Sequence, residues 1–175
     1  VYIRITKKVK LSNNSTIGLT YFNLKDGNPI LFYFHGCPFK GYYPNELIKL
    51  VKKNNWGFVC IIRSGYQNIK LTTPIFNLYG DYNEHNEVIM YLRKKYLNSK
   101  FMLLAYSSST ATAENYFGYK GNKNPFIGGF IISPGYEFNT ELSTIDYFCS
   151  KYIYKWVYKN IIKNNLKIFK QRKDI

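Results

Sequence analysis

Four short, continuous runs of apolar residues constrain the fold of this chain more than any other feature of its sequence. Such runs are typical of strands that are buried on both faces of a sheet. Between consecutive runs lie segments with apolar residues at helical spacing, such as Leu47, Ile48 and Val51. Strands that alternate with helices predict an α/β fold with one mostly parallel sheet and right-handed crossovers. The four runs are Ile30–Phe34, Phe58–Ile62, Phe101–Leu104 and Phe126–Ile132.

The segments at the two ends of the chain have patterns of their own. Residues 1–22 predict two strands joined by a turn at Asn13-Asn14. Near the other end, lysines recur every four residues from Lys151 to Lys167, beside a ridge of apolar residues. This pattern predicts an amphipathic helix with a basic face. We therefore expect an α/β core over residues 1–142 and a helical lid or cap over residues 143–175.

The basic C-terminal helix has two interpretations. A basic amphipathic helix could lie on an anionic membrane surface. It could also pack on the domain as a cap, with its lysines in water, and we favour this second interpretation because lysine is the usual solvent-facing residue in this composition. On this evidence the expected location of the protein is cytoplasmic or membrane-associated.

Composition excludes several other classes of protein. The formal net charge is +15, yet no RNA-binding aromatic motif or helix-turn-helix pattern accompanies it, so we predict no nucleic-acid partner. The three cysteines are far apart and form no CxxC pair, which argues against zinc. We predict no metal and no organic cofactor. No apolar run approaches the roughly 18 residues that span a bilayer.

The third apolar run leads directly into the sequence that indicates chemistry. Ala105-Tyr106-Ser107-Ser108-Ser109 follows this strand and precedes a predicted helix. A serine between small residues at a strand-to-helix turn is the context of a nucleophile elbow. The turn exposes the serine oxygen and directs the helix N-terminus at developing negative charge. Serine runs also cap helices, so the run alone leaves both interpretations open.

Several stretches together resemble one group of the α/β-hydrolase superfamily, which includes plant embryogenesis-associated hydrolases, similar bacterial hydrolases and animal abhydrolase-domain lipases. The resemblance covers most of the chain, and the Leu-Thr-Thr-Pro to Gly-Asp segment is its most specific part. The matching stretches are Arg63-Ser-Gly, Leu71-Thr-Thr-Pro74, Gly80-Asp81, residues 91–96, Tyr106-Ser107, residues 113–118 and Ile132-Ser-Pro134.

The resemblance implies a role for three residues. It places Ser107 as the nucleophile, with Cys37 and Ser108 at the oxyanion positions. Two departures stand out, because the group has glycines where Ala105 and Ser109 flank the serine, and a proline-glycine pair where this chain has His35-Gly36. The implied activity is that of a carboxylesterase or acylglycerol lipase, acting on an ester or lipid through an acyl-serine intermediate.

The acid and the general base of a catalytic triad are not apparent in this sequence. In this fold the triad follows the order serine, acid, histidine, but His35 and His85 both precede Ser107. We predict that His35 is structural and that His85 is a surface residue of a helix. The carboxylates after the fourth run, Glu137, Glu141 and Asp146, come too early for the acid.

Two hypotheses of different classes follow. In the first, the chain is the N-terminal part of a serine hydrolase, with the C-terminal strands of the fold missing and little activity as given. In the second, it is a non-catalytic hydrolase-like module that binds a lipid or a partner.

Overall fold

The computed structural model describes residues 5–36, 43–67, 69–77, 80–134, 147–148, 151–152 and 155–170. Its strands are β1 (Ile5–Lys10), β2 (Thr16–Phe22), β3 (Ile30–Phe34), β4 (Gly57–Ile62), β5 (Phe101–Tyr106) and β6 (Phe126–Ile132). Its α-helices are α1 (Asn45–Lys53), α2 (Asn83–Lys95), α3 (Thr110–Lys120), α4 (Lys155–Asn164) and α5 (Leu166–Phe169), and 3₁₀ turns span Ser107–Ser109 and Gly121–Lys123.

The six strands form one sheet in the order β1-β2-β4-β3-β5-β6. The β1–β2 hairpin is antiparallel, and β2 pairs antiparallel with β4. The other four strands, which lie in the order β4-β3-β5-β6, are all parallel to one another. These four are the apolar runs of the sequence, so the predicted mostly parallel sheet is confirmed.

Alternate residues of the central strands point to opposite faces of the sheet. On β3, Phe32 and Phe34 join the core beneath α2 and α3, whereas Leu31 and Tyr33 join the core beneath α1. Every residue of β3 and β4 is buried. This two-sided burial explains why their sequences show no polar alternation.

Strand β6 differs from the expectation of burial on both faces. Phe126 is buried, but Ile127, Phe130 and Ile132 are 66%, 76% and 45% exposed. The physical reason is position, because β6 is the edge strand among the described residues and pairs only with β5. Its apolar sequence is therefore not explained by the packing of the described part of the chain.

The C-terminal lysine-rich segment is helical in its described part, but not as one continuous helix. Helix α4 ends at Asn164, and Asn165 is the N-cap of the short α5. The side chain of Asn165 accepts a hydrogen bond from the backbone N–H of Leu71 at 3.3 Å. Among the described helices, none is long and apolar enough to cross a membrane. The boundary between residues 142 and 143, and the role as lid or cap, stay predictions.

Replacing Phe32 tests the packing at the centre of the sheet. Phe32 is fully buried, and its ring lies 4.9 Å from that of Phe101 and 5.2 Å from that of Phe126. We expect Phe32→Ala to lower the free energy of unfolding by about 3–5 kcal/mol in urea denaturation. Phe130→Ala, at an exposed phenylalanine, is the matched control and should change it by less than about 0.5 kcal/mol. Equal effects of the two substitutions would contradict the described core.

Candidate active site

Ser107 occupies a strained turn between β5 and α3. Its φ of 54° lies in the left-handed region, which residues with a side chain seldom adopt. The turn is held from its C-terminal side, because the Thr110 hydroxyl donates to the Ser107 carbonyl oxygen at 2.7 Å. The predicted strand-to-helix turn is therefore present, and its backbone is strained at Ser107. That Ser107 acts as a nucleophile stays a prediction.

The loop after β3 passes directly against this turn. A Cβ atom added to Gly36 would lie 2.9 Å from the Ser107 Cβ atom and 3.0 Å from the Tyr106 carbonyl oxygen. Only glycine allows this approach without displacement of the backbone. The structure therefore places Ser107 directly against Gly36. Cys37, the predicted oxyanion residue of the same loop, lies outside the described residues, so its role stays a prediction.

Ser109 stands where the related hydrolases have glycine, and its position gives a reason for the difference. Its side chain is fully buried. The hydroxyl oxygen lies 2.7 Å from the Phe34 carbonyl oxygen and 3.1 Å from that of Tyr106. By donating to these carbonyls, Ser109 ties the end of β3 to the end of β5. A serine side chain thus takes part in holding the two loops together.

Ser108, the second predicted oxyanion residue, follows Ser107 in the 3₁₀ turn. Its hydroxyl accepts a hydrogen bond from the Arg63 guanidinium, with Nη2 to Oγ at 3.2 Å. The side chain is thereby directed towards β4. A backbone N–H at the start of a helix is a suitable donor for an oxyanion, but this role of Ser108 stays a prediction.

Arg63 is the residue whose importance the sequence did not reveal. It follows β4, is only 1% exposed, and packs its guanidinium over the Tyr66 ring at 4.7 Å. Its Nη2 also donates to the His35 carbonyl oxygen at 3.4 Å. Arg63 thus contacts both loops that meet at Ser107. The sequence marked it only as part of a family-like stretch, and its burial could not be read from a local pattern.

His35 is held in one neutral tautomer by the backbone. Nδ1 lies 2.8 Å from the Gly36 carbonyl oxygen, which can only accept, and the Arg63 backbone N–H donates to Nε2 at 3.4 Å. Burial, and then the charge of Arg63, hold the pKa of His35 well below its ordinary value of 6.5. Since both ring nitrogens are engaged, His35 is unsuited to act as a general base. The predicted structural role agrees with this geometry.

His85 is not the surface residue that its helical position suggested. It is 1% exposed, and its ring lies 4.3 Å from that of Phe34. Burial, and then the charge of Arg63, lower the pKa of His85 to about 3. The neighbouring Glu84 is also buried, accepts a hydrogen bond from the Ser15 hydroxyl at 2.6 Å, and has a pKa raised by burial. The prediction was wrong because His85 shares the buried face of α2 with Val88 and Ile89, which lie three and four residues further along the helix.

The remaining predicted features are only partly covered by the structure. Glu137, Glu141 and Asp146 lie outside the described residues. Of the three cysteines, Cys60 is the described one, and it is buried and forms no disulfide bond with the described part of the chain. Within the described ranges, no group of three His, Cys, Asp or Glu side chains could hold a metal ion.

Comparison with known proteins identifies the fold. No family model and no curated protein matches the chain. Solved structures do match. One is a mutant Vigna radiata epoxide hydrolase (15% identity, TM-score 0.60), and the alignment covers 86% of this chain and 45% of that one. An Aspergillus niger epoxide hydrolase (13%, TM-score 0.55) matches over 82% and 38% of the two chains. A Pyrococcus furiosus esterase (10%, TM-score 0.56) matches over 73% and 50%.

The chain has an α/β-hydrolase fold. Matches over 82–86% of the chain agree with the fold that the resemblance implied. The chain spans half or less of the length of the solved α/β-hydrolases named above. At 10–15% identity these structures show the fold and not the reaction.

Gly36→Ala tests the close approach of the two loops. The added methyl group would overlap Ser107 and Tyr106, so we expect the free energy of unfolding to fall by about 1–3 kcal/mol. Gly128→Ala on β6 is the matched control, because a Cβ atom there meets nothing within 4 Å. Chemical denaturation of both variants provides the measurement. A Gly36→Ala protein as stable as the Gly128→Ala protein would show that the loops do not meet as described.

The buried histidines predict a loss of stability in mild acid. Both are neutral when folded, whereas in the unfolded chain they titrate near 6.5. Below pH 6.5, and down to about 3 for His85, the unfolded state binds more protons, so stability falls as the pH falls. Each histidine contributes up to about 1.4 kcal/mol per pH unit. Burial raises the pKa of Glu84 above its ordinary value of 4.5, so above that pH the folded state binds more protons at Glu84 than the unfolded state does. This carboxyl therefore contributes stability that increases as the pH falls.

Urea denaturation between pH 7.5 and 5 measures this dependence. His85→Phe keeps an aromatic ring against Phe34 but removes one of the two titrating groups. We expect its stability to depend less steeply on pH than that of the parent chain. An unchanged slope would mean that His85 is not buried and neutral in the folded protein.

Proposed function

We propose that this chain is part of a serine hydrolase that cleaves carboxylic esters through an acyl-serine intermediate on Ser107, as in the carboxylesterases and acylglycerol lipases. The observation that carries the proposal is the left-handed Ser107 at the end of a parallel strand, with Gly36 packed against it. One of the matched structures is described as an esterase, which is consistent with this chemistry. No metal or organic cofactor is required.

In the proposed reaction, the Ser107 oxygen attacks the ester carbonyl carbon while its proton passes to a general base. The alcohol leaves with a proton, and water then hydrolyses the acyl-serine to release the acid. Backbone N–H groups of Ser108 and Cys37 are the proposed donors to the oxyanion. They would act because such donors, fixed before the reaction, stabilise charge that develops only in the transition state.

The general base is the group that this chain does not supply. No histidine follows Ser107 in the sequence, and both ring nitrogens of His35 are engaged by backbone groups. His85 is fully buried against Phe34 and stays neutral to about pH 3. A serine hydroxyl at its free pKa is a poor nucleophile. The proposed activity therefore requires a general base that neither of these two histidines supplies.

Because neither histidine is suited to act as a base, a second candidate function is also favoured. It is a non-catalytic module of hydrolase fold that binds a lipid or another partner. The gene sequence after Ile175 separates the two candidates. An aspartate and a Gly-His pair, each following a further apolar run, would support the hydrolase. A stop codon soon after Ile175 would support the binding module.

For the chain as given, we expect hydrolysis of p-nitrophenyl butyrate at close to the background rate, because the oxyanion donors alone give only residual catalysis. Ser107→Ala should change this rate little. Release of p-nitrophenol, followed by absorbance, is the measurement. Turnover well above background that is lost in Ser107→Ala would mean that a base we have not recognised acts in this chain.

In the longest translated product of the gene, the same substitution should have a large effect. If a downstream acid and histidine complete the triad, Ser107→Ala should lower kcat by about 10⁴-fold or more. Ser12→Ala, at a serine of the β1–β2 hairpin, controls for the loss of a hydroxyl elsewhere and should leave kcat near the parent value. Full activity of Ser107→Ala in that product would refute the proposed nucleophile.

A further inference from the structure

A groove of about 520 Å³ lies between the β1–β2 hairpin and helix α2. This volume falls within the range of pockets that hold small organic ligands. Ser107 does not line the groove, and its strand β5 is separated from β2 in the sheet by β4 and β3. The groove is therefore distinct from the proposed ester-cleaving site.

The floor of the groove is apolar. Leu19 of β2, Val59 of β4, and Val88 and Leu92 of α2 line it, and all four side chains are buried. Tyr91 lines it as well but is 63% exposed, so an apolar wall is open to solvent. Since these four side chains are already almost fully buried, a hydrocarbon chain bound here would gain mainly from removing its own apolar surface from water.

The rim of the groove is cationic. Lys7 pairs with Leu19 across the hairpin and lies on the same strand face as Val9, which packs against the core. Lys95 stands on the last turn of α2, and both lysines are exposed. The other lysines that line the groove are Lys8 and Lys10.

Negative charge at the groove is restricted to one residue whose oxygens are already engaged. Among the described residues, Glu87 is the one carboxylate that lines it. Its oxygens accept hydrogen bonds from the Ser12 backbone N–H at 3.0 and 3.1 Å and from the Ser12 hydroxyl at 2.6 Å. These bonds also fix the turn of the hairpin to α2 and so hold the two sides of the groove together.

We propose that this groove binds a single-chain anionic amphiphile, of the class of long-chain fatty acids. The acyl chain lies on the floor formed by Leu19, Val59, Val88 and Leu92, and the carboxylate lies by Lys7 and Lys95. An apolar floor beside exposed ammonium groups complements this class of ligand, since a charged hydrogen bond to a carboxylate adds to the burial of the chain. An uncharged lipid would leave the lysines unused.

Titration of the full chain with 11-(dansylamino)undecanoic acid, below its micelle concentration, tests the proposal. We expect saturable binding of one probe per chain, displaced by palmitate and at least tenfold less effectively by the uncharged hexadecanol. The double variant Lys7→Glu/Lys95→Glu should weaken probe binding at least tenfold. Lys53→Glu/Lys123→Glu changes the net charge equally at exposed lysines that do not line the groove, and it should bind as the parent does.

A photoreactive fatty acid then locates the bound chain. We expect cross-links in the peptides of residues 7–21 and 87–96. The proposal is overturned if binding does not saturate, if both charge-reversal pairs weaken it equally, or if hexadecanol competes as well as palmitate. Cross-links confined to residues 101–120 would also overturn it, because they would place the ligand at the Ser107 turn. Should the reversed charges disturb folding, the double variant Lys7→Gln/Lys95→Gln gives a second test. It should also weaken probe binding, but by less than the charge-reversed pair does.

Discussion

The contact between the end of β3 and the turn after β5 determines the geometry of the candidate site. Gly36 lies so close to Ser107 that a methyl group would overlap it, and the Ser109 hydroxyl donates across the same junction to Phe34. A left-handed serine costs conformational energy and persists only where its surroundings enforce it. Parallel pairing of β3 with β5 brings both loops to the same edge of the sheet. The sheet register thus supplies the constraint that stabilises the turn.

Beneath this contact lies a buried polar cluster that sets the electrostatics of the site. The Arg63 guanidinium donates to the His35 carbonyl oxygen and to the Ser108 hydroxyl, one on each loop. Its positive charge, together with burial, keeps His35 and His85 neutral. A buried charge requires hydrogen-bonding partners. Displacement of either loop would leave the Arg63 guanidinium with fewer partners, so its burial stabilises the arrangement of the two loops. Burial, together with the same charge that organises the loops, removes the chain's two histidines from acid–base chemistry near neutral pH.

The features that the sequence predicts well depend on local patterns. A continuous apolar run identifies a central strand wherever helices cover both faces. The turn at Ser107 can be identified because its small residues lie within five consecutive positions between a strand and a helix. The missed features have different causes. His85 lies three and four residues before Val88 and Ile89, so helical spacing places it on the buried face of α2, and its polar character alone suggested a surface position. Arg63 is a charged residue in a loop, and its burial follows only from the meeting of β3, β4 and β5. The role of Cys37 lies beyond what the described residues test.

Two independent observations bear on how the candidate site would be completed. The first is structural, because Ile127 and Phe130 of β6 expose apolar side chains on a strand whose sequence is suited to burial. The second is chemical, because Ser107 has no base among the two histidines of the chain. Strand β6 adjoins β5, which leads into Ser107. Chain packed against β6 would therefore cover these apolar side chains on the half of the sheet that carries Ser107. The exposed strand and the serine without a base are thus neighbouring features of one region of the fold.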